Sequence, residues 1–354
     1  MIRWRQGTVL ATVREWPGAM ELDVGVDGGR VAALAYPSLV GRPEPGDSVL
    51  LNTGALDLGL GTGGYAMVVA LPGRLPADAA GSGHLVKARY TPLQVVVLGV
   101  EEPQSPHHDL LRAAGSLDGL PVVVADLHSA LPAVLAGVLA DLPDVRVSYV
   151  MTDGGALPLW FSRTAAALDH LLAGTVTVGQ AYGGGLEAVT LHTGLLAARH
   201  VQNAEVAIVT QGPGNLGTAT RWGFSGVAAG EAVNAVAALG GRPVAALRLS
   251  GADDRHRHQG VSHHSLTAYG RVALAAADVV LPAGLPPSLA ALVAADVAPL
   301  RAQHAVVEVD TSGLLDALRA SPAELSSMGR GLDDDPAYFL ACAAAGRRAA
   351  AMVS

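Results

Sequence analysis

The amino-acid sequence predicts an α/β protein, in which a small N-terminal β-barrel of the SH3-like or OB-like kind precedes a doubly wound, mostly parallel α/β domain. Three observations predict this fold class. The chain has 354 residues, enough for about two domains. Short strand patterns separated by turn residues fill its first part, and apolar runs of strand length alternate with helical segments in its second. We place the domains at residues 1–88 and 89–354.

The first domain contains strand patterns and no helical period. Strands are predicted at 8–14, 20–26, 31–36, 48–51 and 65–71. Turn residues such as Trp16-Pro17-Gly18 separate these strands, and short strands with turns of this kind are typical of small barrels. Residues 71–83 contain Pro, Gly and Ala and are predicted to be a linker.

The second domain alternates strands with helices. Strands are predicted at 94–100, 122–125, 146–151, 175–178, 206–210, 244–249, 278–281 and 305–309, and helices at 131–140, 186–199 and 230–239 among others. Continuous apolar strands of this kind predict a parallel sheet covered on both faces, and right-handed crossovers make it doubly wound. The Ala-rich helix at 336–350 is expected to pack on the domain or on a second subunit, which leaves a homodimer open.

Composition excludes several classes of protein. A single cysteine, Cys342, excludes internal disulfides and Cys-rich zinc sites. The single lysine, Lys87, is not part of a phosphate-binding Walker motif. A net charge of −8 argues against a nucleic-acid partner. No apolar run is long enough to span a membrane and no signal peptide is evident, so we expect a cytoplasmic protein with no membrane partner.

Polar residues are concentrated in the loops that follow the predicted strands of the second domain. Seven of the 12 histidines lie in these loops. The carboxyl ends of parallel strands share one edge of the sheet, and open α/β folds bind ligands there. The sequence therefore predicts a site for a small anionic ligand at this edge. We expect one cleft to be surrounded by Asp126, His128, Asp153, Arg255, His258 and His263.

Residues 253–264 carry two Asp, two Arg and four His. One interpretation is a divalent metal site, because His256 and His258 have the spacing of metal ligands. A second is anion binding by Arg255 and Arg257, because arginine forks match phosphate and carboxylate groups. In this interpretation Ser262 caps a helix that begins at the next residue. The third is a solvated loop whose arginines pair with nearby aspartates.

A glycine-rich loop follows the strand predicted at 206–210. Gly212, Gly214 and Gly217 fit the G-x-G-x-x-G pattern, and Thr218 follows them. Pro213 removes an amide that would face a phosphate, which argues against NAD(P) as a cofactor. The remaining interpretations are an anion-binding loop of another kind, which presents backbone amides, and a purely structural turn.

Five residues are candidates for acid–base catalysis. They are Asp126, His128, Asp153, His263 and His264. A carboxylate just beyond a buried strand can orient a histidine or act as a base. Helix capping is the structural alternative for each aspartate.

Segments along most of the chain resemble the bacterial family known as domain of unknown function 3866. They include Tyr36-Pro-Ser-Leu-Val-Gly41, Leu58-Gly-Leu-Gly-Thr-Gly-Gly-Tyr65, Tyr149-Val-Met-Thr-Asp-Gly-Gly-Ala-Leu-Pro158, Arg255-His-Arg-His258, Ser262-His-His264 and Met328-Gly-Arg330. The resemblance implies no established activity, so no catalytic residue is carried over from it. From the residues themselves we expect an enzyme of the hydrolase or transferase type. The alternative is a ligand-sensing or scaffold protein without catalysis.

Overall fold

The computed structural model describes residues 2–78 and 81–353, so residues 79 and 80 of the predicted linker lie outside the described residues. The chain forms two compact units. Unit 1 extends to Val97 and includes Trp160–Ala166, whereas unit 2 comprises Leu98–Leu159 and the chain from Ala167 onward. The division predicted after residue 88 stays a prediction. No helix of the described chain is long and apolar enough to cross a membrane.

Unit 1 contains a closed five-stranded barrel, as the sequence predicts. Its strands are β1 (Trp4–Trp16), β2 (Ala19–Val26), β3 (Gly29–Ala35), β4 (Ser48–Asn52) and β5 (Ala66–Ala70), with the short helix α1 (Pro37–Val40) after β3. The barrel order is β1-β2-β3-β5-β4. The long strand β1 closes it because β1 pairs with both β2 and β4. Alternate apolar residues, among them Leu22, Val24 and Leu51, fill the interior.

Two further pieces belong to unit 1. Strands β6 (Leu85–Lys87) and β7 (Val95–Val97) form an antiparallel pair. The prediction that residues 94–100 form a strand of the parallel sheet is therefore wrong for residues 95–97, because they pair locally with β6, whereas Gly99 forms an isolated parallel bridge with Glu187 of the sheet. The Trp160 segment is attached to the barrel by a hydrogen bond of 2.7 Å from Trp16 Nε1 to the Trp160 carbonyl.

Unit 2 is built on an eight-stranded parallel sheet. Its strands are β8 (Pro121–Val124), β9 (Val147–Thr152), β10 (Gly174–Thr177), β11 (Leu186–Glu187), β12 (Val206–Gln211), β13 (Arg242–Ala246), β16 (Asp278–Pro282) and β17 (Ala305–Val309). The order is β11-β10-β9-β12-β8-β13-β16-β17. Two short antiparallel pairs, β14 (Leu249–Ser250) with β15 (Gly260–Val261) and β18 (Ser326–Ser327) with β19 (Arg330–Gly331), lie outside this sheet.

Helices cover both faces of the sheet. They are α2 (His108–Ala113), α3 (Leu131–Leu139), α5 (Leu191–His200), α6 (Ala228–Ala238), α7 (His263–Thr267), α8 (Pro287–Val297), α9 (Leu314–Arg319) and α10 (Pro336–Ala350). The short helix α4 (Arg163–Leu168) belongs mostly to the Trp160 segment of unit 1. The helix predicted from residue 186 begins at Leu191, after Thr190 accepts a capping hydrogen bond from the Thr193 amide. Residues 186–187 instead pair in parallel with β10.

The two helix layers show where the strand order of the sheet reverses. Helices α3, α9 and α10 contact one another, and α5 contacts α2 and α6 in the other layer. The crossover through α3 leads from β8 past β12 to β9, whereas the crossover through α6 leads from β12 past β8 to β13. Open α/β sheets bind ligands at such a reversal, outside the carboxyl ends of the strands.

Helix α10 packs on its own domain, which is one of the two predicted possibilities. Its residues Phe339, Ala341, Cys342 and Ala343 are fully buried. The helix lies against α3, β13 and β16. A homodimer stays a prediction.

Candidate functional site

The candidate site lies at the carboxyl ends of β8, β12 and β13, where the sheet reverses direction. Three chain segments build it: residues 125–128 after β8, residues 212–227 after β12 and residues 247–267 after β13. Each segment leaves a strand that is buried along most of its length. The backbone therefore holds the three segments at fixed positions on one edge.

Asp126 is a buried carboxylic acid at the end of β8. Its side chain is 3% exposed, and Oδ2 has no hydrogen-bond partner among the described residues. Burial raises the pKa of Asp126 to about 6, against the opposing effect of the Arg248 charge. Asp126 and Gln211 line a cavity of about 10 Å³, which is the volume that one water molecule requires. Gln211 Oε1 also lacks a partner in the described chain.

Residues 224–226 connect Asp126 to a histidine cluster. A Cβ added to Gly226 would lie 2.8 Å from the Asp126 carbonyl oxygen, so only glycine allows this close approach. Two residues earlier, the Phe224 ring stacks on His264 with centroids 3.9 Å apart and planes 3° from parallel. The acid and the imidazoles therefore lie on the two sides of one short segment.

The histidine cluster consists of His258, His263 and His264. One nitrogen of each ring lies within 4.8 Å of a nitrogen of the other two. Ser262 orders the cluster as the predicted helix cap: its Oγ accepts the His264 amide at 3.2 Å and lies 2.7 Å from His258 Nδ1. Nε2 of His263 and Nδ1 of His264 are buried without a partner among the described residues.

The imidazoles of this cluster are neutral at pH 7. Burial is the largest cause and lowers the pKa of His258 and of His264 to about 3, and it also lowers the pKa of His263. The charges of Arg248, Arg255 and Arg257 add to the effect. The surroundings of the cluster are therefore positively charged, although the rings themselves are not.

Three arginines converge on the carboxylate of Asp253. Arg255 binds both oxygens at 2.8 Å, and Arg330 donates to Oδ2 at 2.9 Å. The guanidinium of Arg248 is 4% exposed and lies 3.5 Å from the same oxygen, yet its Nη2 makes no hydrogen bond in the described chain. Hydrogen bonds from Arg255 are the main reason that the pKa of Asp253 is lowered.

Arg330 is a functional candidate that the sequence reasoning did not single out. It lies in the β18–β19 hairpin and also approaches Asp335 Oδ2 at 3.4 Å. Asp335 in turn accepts a hydrogen bond from the hydroxyl of Ser250, which follows β13. The motif Met328-Gly-Arg330 marked the hairpin in the sequence, but only the fold shows that it places a cation beside Asp253.

The remaining residues of the 253–264 segment differ in their exposure. Within residues 2–78 and 81–353, the exposed Arg257 has no hydrogen bond or ion pair. Its charge is the second cause, after burial, of the lowered pKa of His263. His256 is exposed and pairs with Gln259 through Nδ1 at 3.1 Å. The structure therefore places His258 in the cluster, whereas His256, which the spacing predicts to bind a metal together with His258, lies outside it.

The glycine-rich loop is held by a hydrogen bond to the end of β9 and by hydrogen bonds within itself. The Gly212 amide donates to the Thr152 carbonyl at 3.2 Å, and the Thr218 amide donates to the Gly223 carbonyl at 2.7 Å. Gly217 forms an isolated bridge with Phe224. Gly214 has a positive φ of 87°, which a glycine adopts without strain. These contacts show that the loop positions Phe224 against the histidines. The predicted anion-binding role of the loop stays a prediction.

His128 and Asp153 have other partners. His128 is buried, its Nδ1 lies 3.0 Å from the Tyr149 hydroxyl, and burial lowers its pKa to about 4. Asp153 accepts a hydrogen bond of 2.8 Å from the Gln180 amide in the turn after β10, where no helix begins. Their predicted catalytic roles stay predictions.

The fold and this edge define an α/β protein whose parallel sheet carries a polar, partly unsatisfied site at its reversal point. The model of one protein family, described as protein of unknown function (DUF3866), matches residues 32–346. The chain therefore belongs to this family, as the resemblance of its motifs indicates. No curated protein and no solved structure matches the chain.

Proposed function

We propose that unit 2 is an enzyme of the hydrolase or transferase type that binds a small anionic metabolite at the carboxyl edge of its parallel sheet. One observation carries the proposal. In the described chain eight buried side-chain atoms lack a hydrogen-bond partner, and five of them lie at this edge: Asp126 Oδ2, Gln211 Oε1, Arg248 Nη2, His263 Nε2 and His264 Nδ1. Buried unpaired polar groups cost stability, and such groups cluster where a ligand supplies the partners.

The cations at this edge favour an anion. Arg248 Nη2 makes no hydrogen bond in the described chain, although it lies 3.5 Å from Asp253 Oδ2, and Arg257 is exposed beside His263. Arg255 is different, because both of its donor positions toward Asp253 are already used. An anion that binds here therefore pairs with Arg257 and Arg248, while Arg255 holds the site together.

Asp126 supplies the catalytic base in this proposal. A pKa of about 6 leaves the carboxylate mostly ionised at pH 7, yet close enough to neutrality to accept a proton efficiently. One water molecule in the adjoining cavity would donate its protons to the unpaired oxygens of Asp126 and Gln211. Transfer of one of those protons to Asp126 makes the water a nucleophile for hydrolysis of an anionic ester. The water oxygen bonds to the phosphorus or acyl carbon, the bond to the leaving oxygen breaks, and the leaving alkoxide takes the proton back from Asp126.

Two arginines in one segment provide the test of binding. We expect wild-type protein to bind phosphate and sulfate in calorimetric titrations, and Arg257→Ala to weaken this affinity about tenfold or more, because one charge-assisted hydrogen bond is worth ~1.5–3 kcal/mol. Arg257→Lys should recover part of the loss. Equal binding by wild type and Arg257→Ala would contradict the proposal. Arg255→Ala should instead lower the melting temperature.

Turnover distinguishes an enzyme from a sensor. We expect slow hydrolysis of a generic phosphomonoester such as p-nitrophenyl phosphate, reduced about a hundredfold in Asp126→Asn, because general-base catalysis contributes at least that much. Anion binding that persists in Asp126→Asn shows that the variant is folded. Binding without turnover across a panel of anionic esters would favour the sensing alternative.

A further inference from the structure

We propose that His258, His263 and His264 form the binding site of one divalent transition-metal ion of the zinc class. The proposal rests on the proposed function in one respect: the fourth ligand of the metal would be an oxygen of the anion or of water. The supporting observation is that three imidazoles converge on one point. The spacing of His256 and His258 in the sequence does not predict this cluster, because His256 is not part of it.

The geometry fits a metal with little adjustment. Three nitrogens that all lie within 4.8 Å of one another enclose a point about 2.8 Å or less from each, and zinc–imidazole bonds measure 2.0–2.1 Å. Closing this difference requires each ring to move by less than ~1 Å, which side-chain rotation provides. Three protein ligands with an open fourth position are the arrangement of catalytic zinc, whereas structural zinc has four protein ligands.

The cluster also has the supporting contacts that metal ligands require. Ligating histidines are usually oriented by a hydrogen bond from the other ring nitrogen. His258 is oriented in this way, since its Nδ1 lies 2.7 Å from Ser262 Oγ and its Nε2 is left for a metal. Nε2 of His263 and Nδ1 of His264 have no partner among the described residues, so a metal would displace no existing bond at either atom.

The charge of the surroundings selects the fourth ligand. Three neutral imidazoles contribute no negative charge, and Arg248 and Arg257 lie close enough to act on the rings. A dication here is repelled by both arginines unless an anion completes its coordination. The metal and the arginines would therefore bind opposite sides of the same anionic group.

A cobalt titration tests the metal site alone. Co²⁺ is added in chloride buffer to protein without a histidine tag, and its visible absorption reports tetrahedral nitrogen coordination. We expect one equivalent to bind to wild type, and His263→Ala to lose at least about a hundredfold in affinity. The matched control is His256→Ala, whose ring is exposed in the same segment. It should bind Co²⁺ as wild type does.

The outcomes decide the proposal. Absence of stoichiometric binding to wild type, or equal losses in His256→Ala and His263→Ala, would overturn it. A melting temperature for metal-free His263→Ala close to that of wild type shows that lost binding is not lost folding. If that variant does not fold, His264→Asn provides the same measurement.

Arg257→Ala separates this proposal from the proposed function. Removing the cation should strengthen Co²⁺ binding in chloride by a few-fold while it weakens sulfate binding to the metal-free protein. Co²⁺ binding with no sulfate binding leaves the metal site standing and overturns the anion site. Sulfate binding without Co²⁺ binding supports the anion site and overturns the metal site.

Discussion

The α3–α10 layer and the carboxyl edge belong to the same unit and are both buried, but they satisfy opposite requirements. In the layer, Gly137 of α3 and Gly346 of α10 let the two helix backbones approach closely, because a Cβ at either would overlap a carbonyl oxygen of the other helix. At the edge, charged and polar atoms such as Asp126 Oδ2 are buried without hydrogen-bond partners among the described residues. The layer is optimised for packing, whereas the edge retains unfavourable groups.

This contrast indicates where stability and function are separated in the molecule. Close-packed interiors respond to the addition of a single methyl group. Unsatisfied buried groups lower stability, and proteins retain them where function requires them. Substitutions in the layer should therefore destabilise the protein, while substitutions that remove an unsatisfied buried group at the edge should stabilise it and abolish activity.

The largest change in the free energy of unfolding is expected from Gly346→Ala. The added methyl group would overlap the Val134 carbonyl oxygen, and the rigid helix backbone cannot move away cheaply. We expect a loss of about 3 kcal/mol or more in the free energy of unfolding, at the upper end for overpacked sites. Chemical denaturation measures it. Gly115→Ala is the matched control, because nothing lies within 4 Å of its added Cβ. A similar loss in both variants would refute the contrast.

An increase in the free energy of unfolding is expected from Asp126→Asn. The pKa of Asp126 in the folded protein is raised from 3.8 to about 6, because burial disfavours the carboxylate. The folded state therefore loses stability relative to the unfolded state as pH rises from about 4 to 6. Asparagine has no such loss. Since one pKa unit corresponds to 1.36 kcal/mol, we expect the variant to be more stable than wild type by up to about 3 kcal/mol at pH 7.

The pH dependence identifies the cause. The difference between Asp126→Asn and wild type should be small at pH 3.5 and reach its full value above pH 6.5. Thermal or urea unfolding at both pH values measures it. A constant difference across this range would show that ionisation of Asp126 is not responsible.

The smallest effect is expected in the hairpin that carries Arg330. Met328 has a φ of +53°, a left-handed conformation that is strained for methionine, and its side chain is half exposed. Met328→Asn should stabilise the protein by ~1 kcal/mol, because asparagine tolerates this conformation. Differential scanning calorimetry detects such a shift. Sulfate affinity should not change, and a change would show that Met328 contacts the ligand.

The sequence predicts the fold better than it predicts the site. Seven strands of the parallel sheet appear as apolar runs because both faces of the sheet are covered. The edge strand Leu186–Glu187 has only two residues, too few for any pattern. Residues 95–97 show the converse error, since an apolar run does not specify its pairing partner and these residues pair with β6.

The sequence by itself determined the two-part architecture, the family and the edge of the sheet where polar residues collect, because periodicity and loop position are local properties of the chain. Only the tertiary structure decided which of those residues meet. It paired Arg255 with Asp253 and left Arg257 without a partner among the described residues. It also brought His258 to His263 and His264, and not to His256. Side-chain contacts depend on how separate loops pack, and residue spacing does not encode that packing.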